Sequence, residues 1–257
     1  MLKHVTLLPV YIAANGLALL AVFAGESYGW LLLSVLITLT IITIGSFDIR
    51  LGYFTDTYFK GKESQNKLIA LSFDDGPSSY TPEILLLLEK FNARATFFCI
   101  GKQVHKYPQL SKEIIRQGHT IGNHTFSHLP HFGFMNARQV EQELRDCDRA
   151  LLEVIGQRPC LFRPPYGVTN PSIARAVKAT KHHVIGWSNR SLDTVITQDA
   201  KIYKRVVKKL RAGDIVLFHD TSVHTVEVVK RLLPTLKERG YTCVTIDKLL
   251  NLKAYED

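Results

Sequence analysis

From residue 67 to the end of the chain, short apolar runs alternate with amphipathic segments, and this alternation restricts the fold more than any other feature. Runs such as LIALSF at 68–73 and DIVLFHD at 214–220 have the length of buried strands. The segment 135–156 has the apolar spacing of a long helix. Strands that alternate with helices pair in parallel through crossover connections. The sequence therefore predicts an α/β fold, with a closed or nearly closed barrel preferred over an open doubly wound sheet.

The same pattern gives the bounds of each predicted element. The predicted strands are 68–73, 95–100, 119–124, 160–165, 183–188, 214–220 and 241–246. The predicted helices are 81–91, 111–118, 135–156, 170–180, 199–213 and 225–240. Thr81 and Asn170 each precede a proline, so both are predicted N-caps with the proline in the first turn.

The first 47 residues differ from the rest because they are almost entirely apolar. Residues 5–24 and 30–47 carry no charge, and Glu26 is the only charged residue between them. A helix that crosses a bilayer needs ~20 apolar residues. We therefore predict a hydrophobic helical hairpin of two membrane-spanning helices, then a linker over 48–66 and the α/β domain over 67–257. A cleaved signal peptide fits less well, because a second apolar stretch follows at once, and a soluble buried hairpin lacks support because neither stretch has a polar face.

The chain has a formal net charge of +9 at pH 7. Its basic residues are scattered along amphipathic segments, which is typical of solvated helix faces. We therefore predict no nucleic-acid partner, and a basic surface suited to anionic lipid heads beside a membrane anchor. The four cysteines form no C-x-x-C pair, so nothing in the sequence requires an oxidising compartment.

Side chains able to do chemistry stand where successive predicted strands end, which is where α/β barrels have their active sites. Packing alone does not account for so many acids and histidines at these positions. The residues are Asp74, Asp75, His124, Arg163, Ser188, Asn189, Asp193, His219 and Asp220.

The adjacent acids Asp74 and Asp75 are followed by Gly76 and a proline, which break the strand. Two nearby carboxylates repel each other unless a cation separates their roles, so one acid is expected on a metal and the other free as a base. His124 and His128 are four residues apart and can share one face of a helix or turn. Two histidines and one aspartate form a typical zinc site with open positions for water and substrate.

The segment Arg163-Pro164-Pro165-Tyr166-Gly167 predicts a stiff loop. A stiff loop can hold a backbone N–H ready for an oxyanion, and Tyr166 is the first residue after the prolines that has one. Arg163 can pair with a carboxylate and keep it ionised. His219 can protonate a leaving group near neutral pH, and Leu217 is expected on the same side of the strand as an apolar wall.

Five motifs, taken in order, resemble those of polysaccharide deacetylases with a NodB homology domain, also called carbohydrate esterase family 4. They are SFDDGP (72–77), HTFSH (124–128), RPPYG (163–167), WSNRSLD (187–193) and LFH (217–219). The resemblance covers residues 67–250 and implies a distorted (β/α) barrel of the NodB-homology type.

The resemblance also implies a role for each motif residue. Asp74 would be the general base, oriented by Arg163, and His219 the general acid, supported by Asp193. Tyr166 would donate its N–H to the oxyanion. The metal ligands would be Asp75, His124 and His128, with zinc as the first candidate and cobalt or nickel as alternatives. The substrate-binding residues would be Pro165, Tyr166, Trp187 and Leu217.

One position departs from the family pattern. The fourth motif usually has tryptophan directly after its aspartate, whereas Thr194 follows Asp193 here and the nearby tryptophan is Trp187. The aromatic wall of the pocket is therefore expected to differ, which bears on the choice of substrate rather than on the chemistry.

The expected function is metal-dependent removal of N-acetyl groups from an amino-sugar glycan or a lipid-linked precursor. Two alternatives stay open. One is a deformylase or other amide hydrolase on the same scaffold, and the other is an inactive, membrane-tethered carbohydrate-binding protein.

The side of the membrane follows from lysine and arginine near the helix ends. The loop 25–29 has neither residue, whereas Lys3 precedes the hairpin and several basic residues follow it. The charge rule therefore predicts a cytoplasmic catalytic domain, with a periplasmic or extracellular domain as the alternative.

Overall fold

The computed structural model describes residues 3–62 and 66–256. The strands are β1 Thr57–Tyr58, β2 Leu68–Asp74, β3 Ala95–Cys99, β4 Thr120–Asn123, β5 Leu161–Phe162, β6 His183–Ile185, β7 Asn189–Arg190, β8 Ile215–His219 and β9 Thr242–Cys243. The helices are α1 His4–Phe23, α2 Tyr28–Phe47, α3 Thr81–Lys90, α4 Gly101–Lys106, α5 Pro108–Arg116, α6 Ala137–Ile155, α7 Pro171–Thr180, α8 Asp199–Lys209, α9 Val223–Glu238 and α10 Ile246–Leu250.

The strands form one curled sheet in the order β1-β6-β5-β4-β3-β2-β8-β7, and β9 pairs with the start of β2. All the strand pairs of the described residues are parallel. Strands β2 to β6 lie side by side in chain order, as in a singly wound barrel, and β8 lies on the other side of β2. This half-barrel with surrounding helices confirms the predicted distorted (β/α) barrel over the doubly wound alternative.

Aromatic side chains of β2, β3 and β8 form a layer on one face of the sheet. Phe73 stacks on Phe97 at 5.0 Å and on Phe218 at 5.9 Å between ring centroids, and these rings are buried. Because successive strand residues point to opposite faces, Asp74 and His219, which are partners in the register of β2 and β8, point away from this aromatic layer. The aromatic layer and the two polar side chains, Asp74 and His219, therefore lie on opposite faces of the sheet.

Helices α1 and α2 form the predicted hairpin, and each is 20 residues long. Both are long and apolar enough to cross a membrane by length and composition, and most of their large apolar side chains are exposed. Asn15 of α1 donates a hydrogen bond to the Thr38 hydroxyl of α2, 3.1 Å away. That the helices span a membrane stays a prediction.

The segment 48–66 joins the hairpin to the barrel, and its residues 63–65 lie outside the described part of the chain. The described residues of this segment pack against the barrel. Ile49 is buried in the cluster that contains Phe162 and Val184, and β1 pairs with β6. The Ser46 carbonyl of α2 also accepts a hydrogen bond from the Thr169 amide at 3.0 Å.

Several predicted bounds differ from the observed elements. Asn170 caps α7 as predicted, accepting from the Ile173 amide at 2.9 Å. The predicted cap Thr81 is wrong, because α3 begins at Thr81 itself and the Thr81 hydroxyl donates to Asp220. The helix predicted at 111–118 ends at Arg116, starts earlier and follows a separate helix, α4. Strands β1 and β7 and helix α10 have no counterpart in the prediction, because elements of two to five residues show no periodicity.

Candidate active site

Three predicted ligand side chains come together at the carboxyl ends of β2 and β4. Asp75 Oδ1 lies 3.3 Å from His124 Nε2 and 3.4 Å from His128 Nε2. One ligand atom from each of the three residues lies within 4.8 Å of the other two. An aspartate and two imidazoles that converge in this way can hold a divalent cation such as zinc.

The backbone at this cluster is in the left-handed region at several positions. Asp75, Thr125 and His128 have φ values of 72°, 65° and 49°. His124 and His128 therefore meet across a loop and not along a helix face. Non-glycine residues in this region indicate local strain that the surrounding structure holds in place, which is common at functional sites.

Hydrogen bonding prepares His124 to bind a metal. Its Nδ1 lies 2.7 Å from the Arg163 carbonyl, which can only accept, so Nδ1 carries a proton, and in the neutral imidazole Nε2 presents a lone pair to the cluster. Asp75 Oδ1 is buried and has no hydrogen-bond partner among the described residues. A buried carboxylate oxygen without a donor, 3.3 Å from His124 Nε2, fits a bound cation, since an ion would satisfy both atoms.

Electrostatics couple the three ligand side chains. Burial opposes ionisation of Asp75, yet the adjacent His124 and His128 outweigh it and hold the pKa of this carboxyl below its ordinary range. Burial also opposes protonation of His124, but Asp74 and Asp75 outweigh it and raise the pKa of this imidazole. Burial, together with the charge of His124, lowers the pKa of His128. The arrangement therefore favours an ionised Asp75 and a neutral His128, whereas a cation would have to displace a proton from His124.

Asp74, the other acid of the pair, has a different partner. Its Oδ1 accepts a hydrogen bond from Arg163 Nη1 at 2.7 Å, and both side chains are almost inaccessible to solvent. Arg163 also donates to the Ser72 hydroxyl and to the carbonyls of Ile185 and Gly186. These bonds fix the position of the guanidinium. Its charge-assisted contact therefore holds Asp74 at the edge of the group formed by Asp75, His124 and His128.

His219 lies on the opposite rim, at the end of β8. Its Nδ1 is 2.9 Å from Asp193 Oδ1, and its backbone N–H donates to Asp193 Oδ2 at 2.8 Å. Ser191 and Thr225 donate their hydroxyls to the same carboxylate. Burial lowers the pKa of His219, but the contact with Asp193 and the charges of Asp74 and Asp75 outweigh it and raise the pKa to about 9.

These groups surround a cavity of about 200 Å³. The cavity is lined by Asp74, Asp75, His124, His128, Tyr166, Gly167, Trp187, Arg190, Thr194, Leu217 and His219. Of the predicted substrate-binding residues, Tyr166, Trp187 and Leu217 line it, whereas Pro165 is buried beside it and is not a lining residue. The structure thus brings two acids, two ligand histidines and a third histidine to one pocket.

Three lining residues had no role in the sequence-based prediction: Gly167, Arg190 and Thr194. Arg190 lies in the fourth motif, with its guanidinium 5.6 Å from the centroid of the Trp187 ring. Thr194 directly follows Asp193, at the end of the same motif. The signal for Arg190 was its place inside a motif that otherwise supplies pocket residues.

Three other polar residues at strand ends have structural partners instead. Ser188 donates its hydroxyl to Asp214, and the Asn189 amide donates to the Val206 carbonyl. Asp220 is buried and accepts from the Thr81 hydroxyl, and burial raises its pKa to about 7.

Comparisons with known proteins agree with this geometry. Residues 61–185 match the family described as Polysaccharide deacetylase. A peptidoglycan-N-acetylglucosamine deacetylase of Bacillus cereus is 37% identical over 196 residues, which cover 74% of this chain and 91% of that protein. A peptidoglycan-N-acetylmuramic acid deacetylase, PdaA of Bacillus subtilis, is 33% identical over 200 residues, which cover 76% of this chain and 75% of that protein.

The fold agrees with a solved relative as well. The crystal structure of the Bc1960 peptidoglycan N-acetylglucosamine deacetylase, bound to 4-naphthalen-1-yl-N-oxidanyl-benzamide, superposes with a TM-score of 0.73 at 29% identity. The match covers 78% of this chain and 95% of that one. Motifs, fold and relatives all lead to one assignment: the chain belongs to the polysaccharide deacetylase family, carbohydrate esterase family 4, whose enzymes hydrolyse N-acetyl amide bonds.

Proposed function

We propose that this protein is a metal-dependent hydrolase that removes N-acetyl groups from the amino-sugar units of a glycan. The observation that carries the proposal is the separation of two adjacent acids. Asp75 faces His124 and His128, while Asp74 is paired with Arg163 on the other side. One acid can therefore bind a metal while its neighbour remains available as a base.

Asp75, His124 and His128 would hold the ion, with zinc as the first candidate and cobalt or nickel as alternatives. When bound there, such an ion supplies Lewis-acid polarisation of the acyl carbonyl and of a water. Asp74 takes the proton from the attacking water, and the hydrogen bond from Arg163 keeps Asp74 oriented. Both acids lie at the pocket that would admit the acyl group.

The other two groups act on the charge that develops during attack. The backbone N–H of Tyr166, held at φ 60°, donates to the oxyanion. His219, protonated and supported by Asp193, gives its proton to the leaving amine. The products are acetate and the free amino sugar. Asp74 takes up the proton that leaves the attacking water, and the amine receives its proton from His219.

The test is acetate release by the full-length protein in detergent micelles. The substrates are N-acetylglucosamine oligomers and their N-formyl counterparts, each with the protein stripped of metal and then reloaded with zinc. We expect zinc-dependent acetate release. Release of formate alone would favour the deformylase alternative, and intact substrate in every arm would favour the inactive carbohydrate-binding alternative.

We further propose that α1 and α2 span the membrane, with the catalytic domain on the cytoplasmic side. The support is the uncharged length of both helices and the absence of lysine and arginine from residues 25–29. The relatives act on peptidoglycan according to their names, which favours the outside as the alternative. Reporters that are active only inside or only outside the cell, fused after the last residue, decide between them. Activity of the outside reporter alone would refute the cytoplasmic placement.

A further inference from the structure

A second cavity, of about 390 Å³, lies between the end of α2 and the catalytic pocket. We propose that this basic cavity binds the phosphate of a substrate in which the amino sugar is joined to a lipid through phosphate. Its lining includes Phe47, Arg50, Trp187, Arg190, Arg205 and Lys209. The inference rests on the proposed deacetylase function and specifies its substrate class.

The charge of the basic cavity suits an anionic group. Asp48 is the one acid among the described lining residues, and Arg50 already pairs with it at 2.6 Å. Arg190, Arg205 and Lys209 therefore remain as three positive charges around the cavity. Arg205 donates its Nε–H to the Arg190 carbonyl at 2.9 Å, which places the Arg205 guanidinium beside the backbone of Arg190. The Arg190 guanidinium lies 5.6 Å from the Trp187 ring, and both arginines line the cavity. Guanidinium groups and a lysine are the usual partners of phosphate oxygens.

The basic cavity adjoins the catalytic pocket. Trp187 and Arg190 line both. In a 2-acetamido sugar, the acetamide and the anomeric oxygen are on neighbouring carbons. A sugar whose acetamide lies beside Asp75, His124 and His128, and whose anomeric carbon faces Arg190, would bring its anomeric phosphate to these cations, whereas an uncharged glycan has no group to pair with them.

The other end of the basic cavity leads to the hairpin. Phe47 is the last residue of α2 and is 69% exposed. The end of α2 is fixed to the barrel, because Ile49 is buried and the Thr169 amide binds the Ser46 carbonyl. A lipid chain that lies along α2 in the bilayer would thus deliver its phosphate to the cations and its sugar to the catalytic pocket.

The experiment uses two matched substrates and the full-length, zinc-loaded protein in neutral detergent micelles. One substrate is N-acetylglucosamine joined to a short polyprenyl chain through a diphosphate, and the other is the uncharged glycoside of the same chain. The test variant is Arg205→Gln with Lys209→Gln. The control is Lys204→Gln with Lys208→Gln, which makes the same charge change at exposed positions of α8 that do not line the cavity. Lys209→Gln alone serves if the double variant does not fold.

We expect the wild-type protein and the control to have a kcat/KM at least about tenfold higher for the diphosphate substrate. The test variant should lose this preference and keep its rate on the glycoside. Equal rates on both substrates in the wild type, or a preference that survives in the test variant, would overturn the inference alone. Hydrolysis of the N-acetylglucosamine oligomers but of neither lipid-linked substrate would overturn the inference and leave the proposed function standing, whereas no hydrolysis of any of these substrates would refute both.

A further arm separates the substrate phosphate from bulk lipid. Phosphatidylglycerol is added to the micelles at increasing fraction while the rates on both substrates are measured. We expect the preference to persist at fractions well above that of the substrate. Its loss at low phosphatidylglycerol would assign the basic cavity to a membrane lipid headgroup and overturn the substrate assignment.

Discussion

Arg163 and Asp74 form an ion pair with a 2.7 Å contact where solvent scarcely reaches either side chain. Every other hydrogen bond that the structure records for the guanidinium goes to an oxygen of the barrel, from Ser72, Ile185 and Gly186. The ion-pair partner nearest to Asp74 is therefore a cation that the fold itself holds in position.

Removal of that cation should destabilise the fold. In Arg163→Gln, Asp74 stays buried without its arginine partner, and we expect a loss of roughly 3–5 kcal/mol in the free energy of unfolding. Adding Asp74→Asn should recover part of the loss, since the second variant removes the unpaired charge. Denaturant unfolding of the wild type, the two single variants and the double variant measures the coupling between the two residues. Additive losses would show that the two residues are not coupled.

Asp74→Asn should keep the metal and lose most of the activity. Asparagine can still accept from Arg163, but it cannot take a proton from water, and general-base catalysis contributes ~10²–10⁴-fold. Turnover and metal content are measured on the same sample. Asp75→Asn, the neighbouring substitution, should instead lose metal and activity together. Near-normal turnover of Asp74→Asn would place the base elsewhere.

The two histidines of the cluster should be needed for metal binding. His124→Ala and His128→Ala each remove one of three protein ligands, so bound zinc should fall to a small fraction of the wild-type content. Elemental analysis after dialysis gives that content. His131→Ala is the matched control, because His131 is exposed and does not line the pocket. Full zinc occupancy in either ligand variant would contradict the assignment.

The pH–rate profile should depend on Asp193. His219 must be protonated to act as an acid, and its contact with Asp193 raises its pKa above the ordinary 6.5, so kcat/KM should fall as the pH rises through that raised pKa. A cation bound at Asp75 would offset the negative charges of Asp74 and Asp75. Asp193 would then remain the main group that raises the pKa of His219. Asp193→Asn should therefore move the alkaline limb to lower pH by about one unit or more.

Thr225→Val is the control for the pH profile, since it removes another hydrogen bond to the same carboxylate without touching His219. The contact of His219 with Asp193 also links folding to pH. Its stabilisation is fully present below the ordinary pKa of 6.5 and is lost as the pH rises through about 9. An unchanged alkaline limb in Asp193→Asn would exclude His219 as the acid.

Gly167 should tolerate no side chain. It has φ +69°, and an added Cβ would lie 2.4 Å from the Trp187 ring. We expect Gly167→Ala to raise KM about tenfold or more while zinc content stays normal, because the indole must move away from the pocket. Gly133→Ala is the control, since its Cβ would have only ordinary contact with Val168. Normal KM in Gly167→Ala would show that the indole position does not matter for binding.

The sequence was sufficient for the fold class and for most of the pocket. Both depend on local signals: the alternation of strands and helices, and polar residues such as Asp75 and His219 directly after apolar runs. The parts that were missed depend on contacts between distant segments. Strand β1 is two residues long and forms only because β6 presents an edge to it. Thr81 has the sequence context of a helix cap, but Asp220 takes its hydroxyl.

The position of Ile49 could not be predicted for the same reason. In sequence it follows a polar residue after the hairpin and suggests a tether, whereas in the fold it completes an apolar cluster with residues from β5, β6 and α7. The basic cavity exists only because this docking brings the end of α2 beside Trp187. No local pattern contains that information.

The bond between Thr169 and Ser46 has a mechanical consequence. A catalytic domain on a flexible stalk can sweep through a volume and reach substrates at many distances from its anchor. Here the loop that carries Tyr166 is clamped, three residues later, to the last turn of α2. With the hairpin inserted, the pocket would stay at a fixed distance from the bilayer surface. A glycan would then be selected by its distance from the membrane as well as by its chemical structure.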